Sequence, residues 1–411
     1  MGKILDRLFP LREIRNVSMY YVLTSVYNMW FVAGIWVFIW GRFMSKTEIG
    51  ISDAITFAIG FLFELPSGVI ADLMGRKKAI LLGNILLAFG NLGVALGSSF
   101  WSITGWYLMW TVGYAFQSGA TEALTYDSVK LVGKQDQWNR VIGTATIISR
   151  VTSLSANVIG GLLFAVWFRL PYLVFAITGI VGIIAAFRLI EVPVKVSGNL
   201  WSPSLYLKQI KDGVSVLLSP KVKPIAIVSL LVAGMAYLYN WGLLRPLTGE
   251  RFGYSPVTFP LLLAAVSIAV IITTMMLVRN KHRFSLEKML FVAAGVHSVL
   301  FVVMGGNFNW LWGGMIMVLV TVCSAIVDQL FSQYINIHTK SEHRATTLSA
   351  ITLMIKMPYV LLAIVLGILA EKQLLAQFSI VAGLVAVVVW TASMLKYSKD
   401  RQKATQAAIS E

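Results

Sequence analysis

Charge is scarce in this chain: only 13% of its 411 residues are Asp, Glu, Lys or Arg, against about 25% in a soluble domain. So few ionised groups cannot clothe a water-facing surface, which excludes a water-soluble enzyme and a disordered chain. Cysteine is almost missing. Cys323 stands alone inside an apolar run, so no disulfide framework, cysteine-based metal site or redox pair can be built within one chain. The four histidines are scattered at 282, 297, 338 and 343, with no H-E-x-x-H and no G-x-S-x-G anywhere. The catalytic groups of an intramembrane enzyme, and a metal cluster, are therefore not expected. His297 reads as a packed side chain, and the 16 dispersed methionines as core filling. The N-terminus lacks a small-residue cleavage site after a short apolar core, so no removable signal peptide is read.

What the chain has instead is apolar length: 57% of the residues are hydrophobic and the mean hydropathy is +0.77. A helix needs about 20 such residues to cross about 30 Å of hydrocarbon, and twelve segments qualify. Only one gap between them is long, residues 191–223, and it divides the spans six and six. The expected fold class is an all-α integral membrane protein, with twelve transmembrane helices in two pseudo-symmetric six-helix bundles. Residues 1–191 would form the N-terminal bundle, 192–223 a cytoplasmic linker with an amphipathic helix, 224–398 the C-terminal bundle and 399–411 a cytoplasmic tail. In the linker, Ser202 and Pro203 supply an N-cap and first helical residue. Leu207, Ile210, Val214 and Leu217 then follow at helical spacing.

The excess of 34 basic over 18 acidic residues becomes intelligible once topology is assigned. With both termini inside, 26 of the basic residues fall on the cytoplasmic side, six (Arg42, Lys46, Arg169, Arg245, Arg251, Lys372) on the outer side and two within spans. That bias is the positive-inside pattern. It assigns the net charge of +16 to topology and lipid headgroups rather than to nucleic acid.

The halves also repeat each other. Tyr27-Asn28 and Tyr239-Asn240 stand 212 residues apart, as do Gly83 and Gly295. Further on the offset is 206, relating Glu122 to Asp328, Arg150 to Lys356 and Gly161 to Gly367. An acidic residue followed by a basic one 28 positions later thus recurs in equivalent spans.

The short loop between spans two and three reads Gly68-Val-Ile-Ala-Asp72-Leu-Met-Gly75-Arg76-Lys77-Lys78. The glycines allow a tight turn and close helix approach, and an acid among bases can form switchable ion pairs. This segment resembles the loop signature of the major facilitator superfamily of secondary transporters, and the twelve spans in two halves are similar to that fold over the whole chain. The resemblance implies that Asp72 and Arg76 lock the two halves together when the site faces outward. Gly68, Gly75 and Lys77 would complete the gating motif. Within the family, proton-coupled drug antiporters carry an arginine in span four just before Gln117, where this chain has Tyr114.

An ionisable group at mid-helix in a membrane costs about 2.5 kcal/mol or more, so each is a functional candidate. Glu122, Arg150, Asp328 and Lys356 all lie on the order of 15 Å from their helix ends at about 1.5 Å per residue. Glu122 is expected to pair with Arg150 and Asp328 with Lys356. The choice stands open between a buried salt bridge joining helices and a carboxylate that takes up a proton when its partner moves away. Glu64, one turn before Gly68, and Asp53, nearer the outer end, are further proton-coupling candidates.

Tyr20, Thr24, Tyr27 and Phe31 recur at helical spacing in span one, and Tyr237, Asn240 and Trp241 share one face of span seven. Aromatic rings with a few amides make an adaptable pocket through stacking and cation–π contact. Tyr27, Asn28, Phe31, Tyr114, Tyr237, Asn240 and Trp241 are therefore the candidate cavity residues. The sequence as a whole reads as a monomeric secondary transporter in the inner membrane. It would use no cofactor, move a small amphipathic molecule outward by alternating access, and draw on a proton or other ion gradient. Nutrient uptake and lipid flipping stand as alternatives within the same fold.

Overall fold

The computed structural model describes residues 8–117, 119–192, 211, 214–219, 222–280, 285–339 and 341–410, excepting the side chains of 64–66, 69, 278, 280, 341–346, 348–349, 403–405 and 407–410. The expected linker helix, with Ser202, Pro203, Leu207 and Ile210, lies largely outside these residues.

The described residues hold helices and no strand. In chain order the helices are α1 (Arg15–Asn28), α2 (Trp36–Trp40), α3 (Lys46–Met74), α4 (Arg76–Leu96), α5 (Phe100–Gln117), α6 (Ala120–Leu131), α7 (Trp138–Val166), α8 (Leu170–Arg188), α9 (Lys223–Trp241), α10 (Leu244–Arg251), α11 (Phe259–Asn280), α12 (Leu286–Met304), α13 (Trp310–His338), α14 (Ser341–Glu371) and α15 (Leu375–Ser410). Among the described residues, nine helices are long and apolar enough to span a membrane: α4, α7 to α9 and α11 to α15. The other three expected spans are α3, the pair α1–α2 and the pair α5–α6.

Three spans are thus interrupted. Span one breaks at residues 29–35, span four around Gly119 and span seven at Gly242-Leu243. Gly119 has φ +78°, a left-handed conformation that side-chain-bearing residues adopt at a cost. Breaks inside membrane helices are tolerated where the freed backbone groups line protein or water rather than lipid, and they recur at binding sites of carriers.

The chain forms two compact units. One comprises Met1–Trp201 with Pro256–Ala264, the other Ser202–Ser255 with Ala265–Glu411. In the first, α4 lies flat against α5 because glycines remove the side chains between them. A Cβ on Gly113 would come within 2.8 Å of the Gly83 carbonyl oxygen and 2.9 Å of the Leu87 nitrogen, and one on Gly90 within 2.8 Å of the Trp110 nitrogen. Gly93 faces the Trp106 ring and Gly97 approaches Ile103, so this small-residue face serves helix packing.

Helix α1 and the residues just after α8 are pinned by one amide. Asn16 donates to the Ile190 carbonyl and accepts from the Ile190 N–H, both at 2.8 Å, and also donates to Ser128 at 2.7 Å. Asn16 is 3% exposed, so leaving its amide unpaired would cost about 1–3 kcal/mol. The apolar core below it gathers Leu23, Ile80, Leu124 and Ala186. In the second unit the core gathers Ile225, Val232, Ala294, Val327 and Ile335, from α9, α12 and α13.

Candidate functional site

In the first unit, aromatic rings line up beside the interruptions of spans one and four. Tyr27 on α1 lies 5.0 Å from Tyr114 on α5, and Tyr114 lies 5.5 Å from Trp110 (ring centroids). Trp110 stacks on Tyr107 at 5.3 Å and on Trp30 at 6.4 Å, and Tyr107 meets Trp40 edge to face at 4.9 Å. Trp40 is fully buried and donates from Nε1 to the Tyr172 hydroxyl at 3.1 Å.

Tyr107, Trp110 and Tyr114 follow i, i+3, i+7 spacing on α5, which puts them on one helix face. That spacing is visible in the sequence, so Trp110 and Tyr107 were open to detection; Trp30 comes into the set only through the break after Asn28. Two buried polar atoms sit along the same helix, Trp110 Nε1 and Gln117 Oε1. Neither has a hydrogen-bond partner among the described residues.

Asn28 ties α1 to α7. Its Nδ2 donates to the Thr24 carbonyl at 2.8 Å, and its Oδ1 accepts from Ser149 Oγ at 2.7 Å and Ser153 Oγ at 3.4 Å. Phe31, expected to line the cavity, is instead 6% exposed and packs edge to face on Phe175.

The membrane charges are not arranged as expected. Glu122 on α6 and Arg150 on α7 are both exposed, and no ion pair joins them among the described residues. Glu122 lies instead within electrostatic reach of Tyr20. In the second unit Asp328 on α13 is exposed and Lys356 on α14 half-buried, again with no ion pair between the two. The 28-residue spacing placed the members of each pair at matching depths on neighbouring spans but left helix rotation open. In the rotation adopted, neither pair comes within ion-pair distance. Asp53 is 1% exposed rather than solvated, in the region of Tyr172, and the side chain of Glu64 lies outside the described residues.

The loop motif forms a compact ion network within the first unit. Arg76 Nε binds Asp72 Oδ1 at 3.0 Å and Arg76 Nη1 binds Asp127 Oδ2 at 2.6 Å, with the guanidinium 16% exposed. Gly75, at φ +97°, opens α4. The first backbone N–H groups of that helix are capped from a distance: Glu191 accepts from Arg76 N at 3.1 Å and from Lys77 N at 2.9 Å. A carboxylate there also meets the positive end of the helix dipole. A Cβ on Gly75 would come within 2.7 Å of Glu191 Oε2, so both the backbone angle and the cap demand glycine. Lys77 turns over the Phe187 ring at 5.4 Å.

Asp72 and Arg76, expected to lock the two halves, take part here in a brace within the first unit. Among the described residues, each of their ion-pair partners belongs to the same unit. Gly68 lies exposed inside α3, and a Cβ there would meet nothing within 4 Å, so the tight turn rests on Gly75 alone. Asp127 and Glu191 escaped sequence reasoning because no local spacing links them to a residue 51 or 115 positions earlier.

In the second unit Tyr237 meets Tyr359 edge to face at 5.3 Å and lies 6.2 Å from Trp241 (ring centroids), which is 47% exposed. Asn240 Oδ1 accepts from Arg245 Nη1 at 3.2 Å, and Arg245 lies over the buried Tyr239 ring. His297 is fully buried beside Phe301, as a packed side chain. Each unit thus presents aromatic side chains and one amide next to an interrupted helix.

Comparison with known proteins accords with this architecture. The structure resembles that of the nucleoside transporter NupG (TM-score 0.74, 13% identity, covering 94% of this chain and 99% of that one). It also resembles a bacterial homologue of the iron transporter ferroportin (TM-score 0.69, 16% identity, 93% and 99% covered) and the POT family transporter PepTSo (TM-score 0.69, 12% identity, 95% and 98% covered). At these identities the likeness is one of fold. No curated protein matches the sequence. The family model for the Major Facilitator Superfamily matches residues 18–362. The chain belongs to the Major Facilitator Superfamily, as a multi-pass membrane protein and secondary transporter of that type.

Proposed function

We propose that this transporter moves a small amphipathic molecule outward by alternating access, coupled to protons. One observation carries the reading: Glu122, in the first turn of α6 after the Gly119 break, and Arg150, midway along α7, are exposed and mutually unpaired, in the unit that holds the Tyr27–Tyr114–Trp110 wall. A bare charge facing lipid costs about 2.5 kcal/mol or more, so exposed charges within these spans favour a water-filled cavity. A carboxylate free of its neighbouring cation can gain and lose a proton as its surroundings change.

The rings supply a face for an apolar or cationic cargo. Asp328 is the corresponding carboxylate of the second unit. In this reading the protein works as a monomer in the inner membrane with both termini cytoplasmic, and draws on the proton gradient without a cofactor.

The test is transport in proteoliposomes under an imposed pH gradient, with a panel of lipophilic cations, sugars and lysolipids. Proton-driven movement of an amphipathic member of the panel is expected, and its loss in Glu122→Gln or Asp328→Asn. Unchanged proton-driven transport in both variants would remove the coupling assignment.

A further inference from the structure

The internal repeat exposes a difference between the units at one end of each bundle. In the first unit, Gly75, Ser128 and Glu191 lie together where α4 begins, α6 ends and α8 has just ended. That place is filled: Glu191 caps α4 against Gly75, Ser128 takes a hydrogen bond from Asn16, and Arg76 bridges Asp72 and Asp127. The repeat offsets of 212 and 206 carry these three positions to Glu287, Tyr334 and Tyr397. In the second unit the same three residues line a cavity of about 340 Å³, together with Pro224, His338, Asp400 and Arg401. The substitution of a capping carboxylate by Tyr397 and of glycine by Glu287 removes the internal brace. Ser285 caps α12 locally instead, accepting from Lys288 N at 3.3 Å. What the first unit fills with its own side chains, the second keeps open.

The lining fits a particular chemistry. His338 stacks on Tyr334 with ring centroids 4.0 Å apart, while its Nδ1 is 2.9 Å from the Tyr334 carbonyl oxygen. Tyr397 packs against Phe291 at 5.3 Å. Glu287 lies within electrostatic reach of both tyrosines, and no ion pair engages Glu287 or Asp400 among the described residues. The lining holds two carboxylates, Glu287 and Asp400, against the one guanidinium of Arg401. Aromatic faces beside unpaired carboxylates are the surroundings that hold an alkylammonium ion, through cation–π contact and charge-assisted hydrogen bonds. The volume lies within the range of small-molecule sites.

We propose that the second unit carries a binding site for a small organic cation, an amine or alkylammonium group, between Glu287, Asp400 and the rings of Tyr334 and Tyr397. The site lies within one unit and does not depend on the transport reading. Its ligand is either a soluble amine or the amino headgroup of a lipid, since the lining residues of α13 and α15 stand in the C-terminal parts of helices long and apolar enough to span a membrane.

The experiment uses the full chain purified in detergent free of amine lipids, with ethanolamine and tetramethylammonium as probes against sodium at constant ionic strength. Saturable binding of both organic cations is expected, with sodium unable to compete. Glu287→Gln and Tyr397→Leu should each weaken binding at least about tenfold, equivalent to about 1.4 kcal/mol. Tyr397→Phe, which keeps the ring face, should bind as the parent does. A tryptophan-fluorescence melt of each variant checks that the fold is kept.

Repeating the titration in nanodiscs identifies the source. Ethanolamine binding that persists in phosphatidylglycerol discs and vanishes in phosphatidylethanolamine discs marks a lipid headgroup; equal binding in both marks a soluble amine. No saturation below a dissociation constant of about 1 mM, full competition by sodium, or unchanged binding in Glu287→Gln would overturn the proposal.

Discussion

Two glycines on one helix should respond to the same substitution with opposite signs. Gly105 and Gly113 both lie on α5, two turns apart. At Gly105 an added Cβ meets nothing within 4 Å, whereas at Gly113 it meets Gly83 O and Leu86 Cβ at 2.8 Å and Leu87 N at 2.9 Å. These neighbours are backbone atoms and a Cβ, which no rotamer change can move, so Gly113→Ala has to push α5 off α4. Overpacking of this kind costs about 1–3 kcal/mol. Gly105→Ala removes conformational freedom from the unfolded chain with no clash, and should stabilise by about 0.4–1 kcal/mol.

The expected separation between the two variants is therefore about 1.5–4 kcal/mol, read by titrating the purified protein from a mild detergent into a denaturing one and following helicity. Because Tyr107, Trp110 and Tyr114 ride on α5, Gly113→Ala should also lower transport, and Gly105→Ala should leave it intact. Equal losses in both variants, or a neutral Gly113→Ala, would refute the inference that α4 and α5 touch through their backbones.

Other consequences are equally open to measurement. Arg76→Gln should destabilise the protein, and the double variant Arg76→Gln/Asp127→Asn should lose less than the two single variants summed. A coupling of about 1 kcal/mol is expected, since both groups are partly solvated; strict additivity would dissolve the brace. Gly75→Ala should be worse than either, because the φ of +97° and the Glu191 cap both oppose a side chain, and Glu191→Ala should not restore it. Asn28→Ala removes the acceptor of Ser149 and Ser153 and should cost about 1–2 kcal/mol, with a larger fall in transport than in Ser25→Ala, whose contact to Thr152 is long at 3.3 Å.

The membrane spans and their six-and-six grouping were legible because hydropathy over about 20 residues is a local quantity. The three interruptions were less so. Gly119 and Gly242 mark two of them in retrospect, but the break after Asn28 carries no glycine until Gly34. Site residues divided on the same principle. Tyr27 and Tyr114 could be nominated from their own helices, while the brace of Arg76, Asp127 and Glu191 joins residues separated by 51 and 115 positions. The charge pairs failed on a narrower point. Repeat spacing fixes how deep Glu122 and Arg150 lie, and a rotation of each helix, set by distant packing, decides whether they face each other.

The pinning of Ile190 by Asn16, and the capping of α4 by Glu191, bear on how the protein is made. Both contacts join residues just after α8 to α1 and to the start of α4, across 174 and 115 positions. A nascent chain leaving the ribosome can insert five helices without completing either. The start of α4 keeps its unsatisfied N–H groups, and Asn16 its unsatisfied amide, until the sixth span has been threaded into the bilayer. Assembly of the first six spans is thereby timed to the emergence of the residues after α8, and a chain truncated before residue 190 should be recognised as unfinished by the quality control of the membrane.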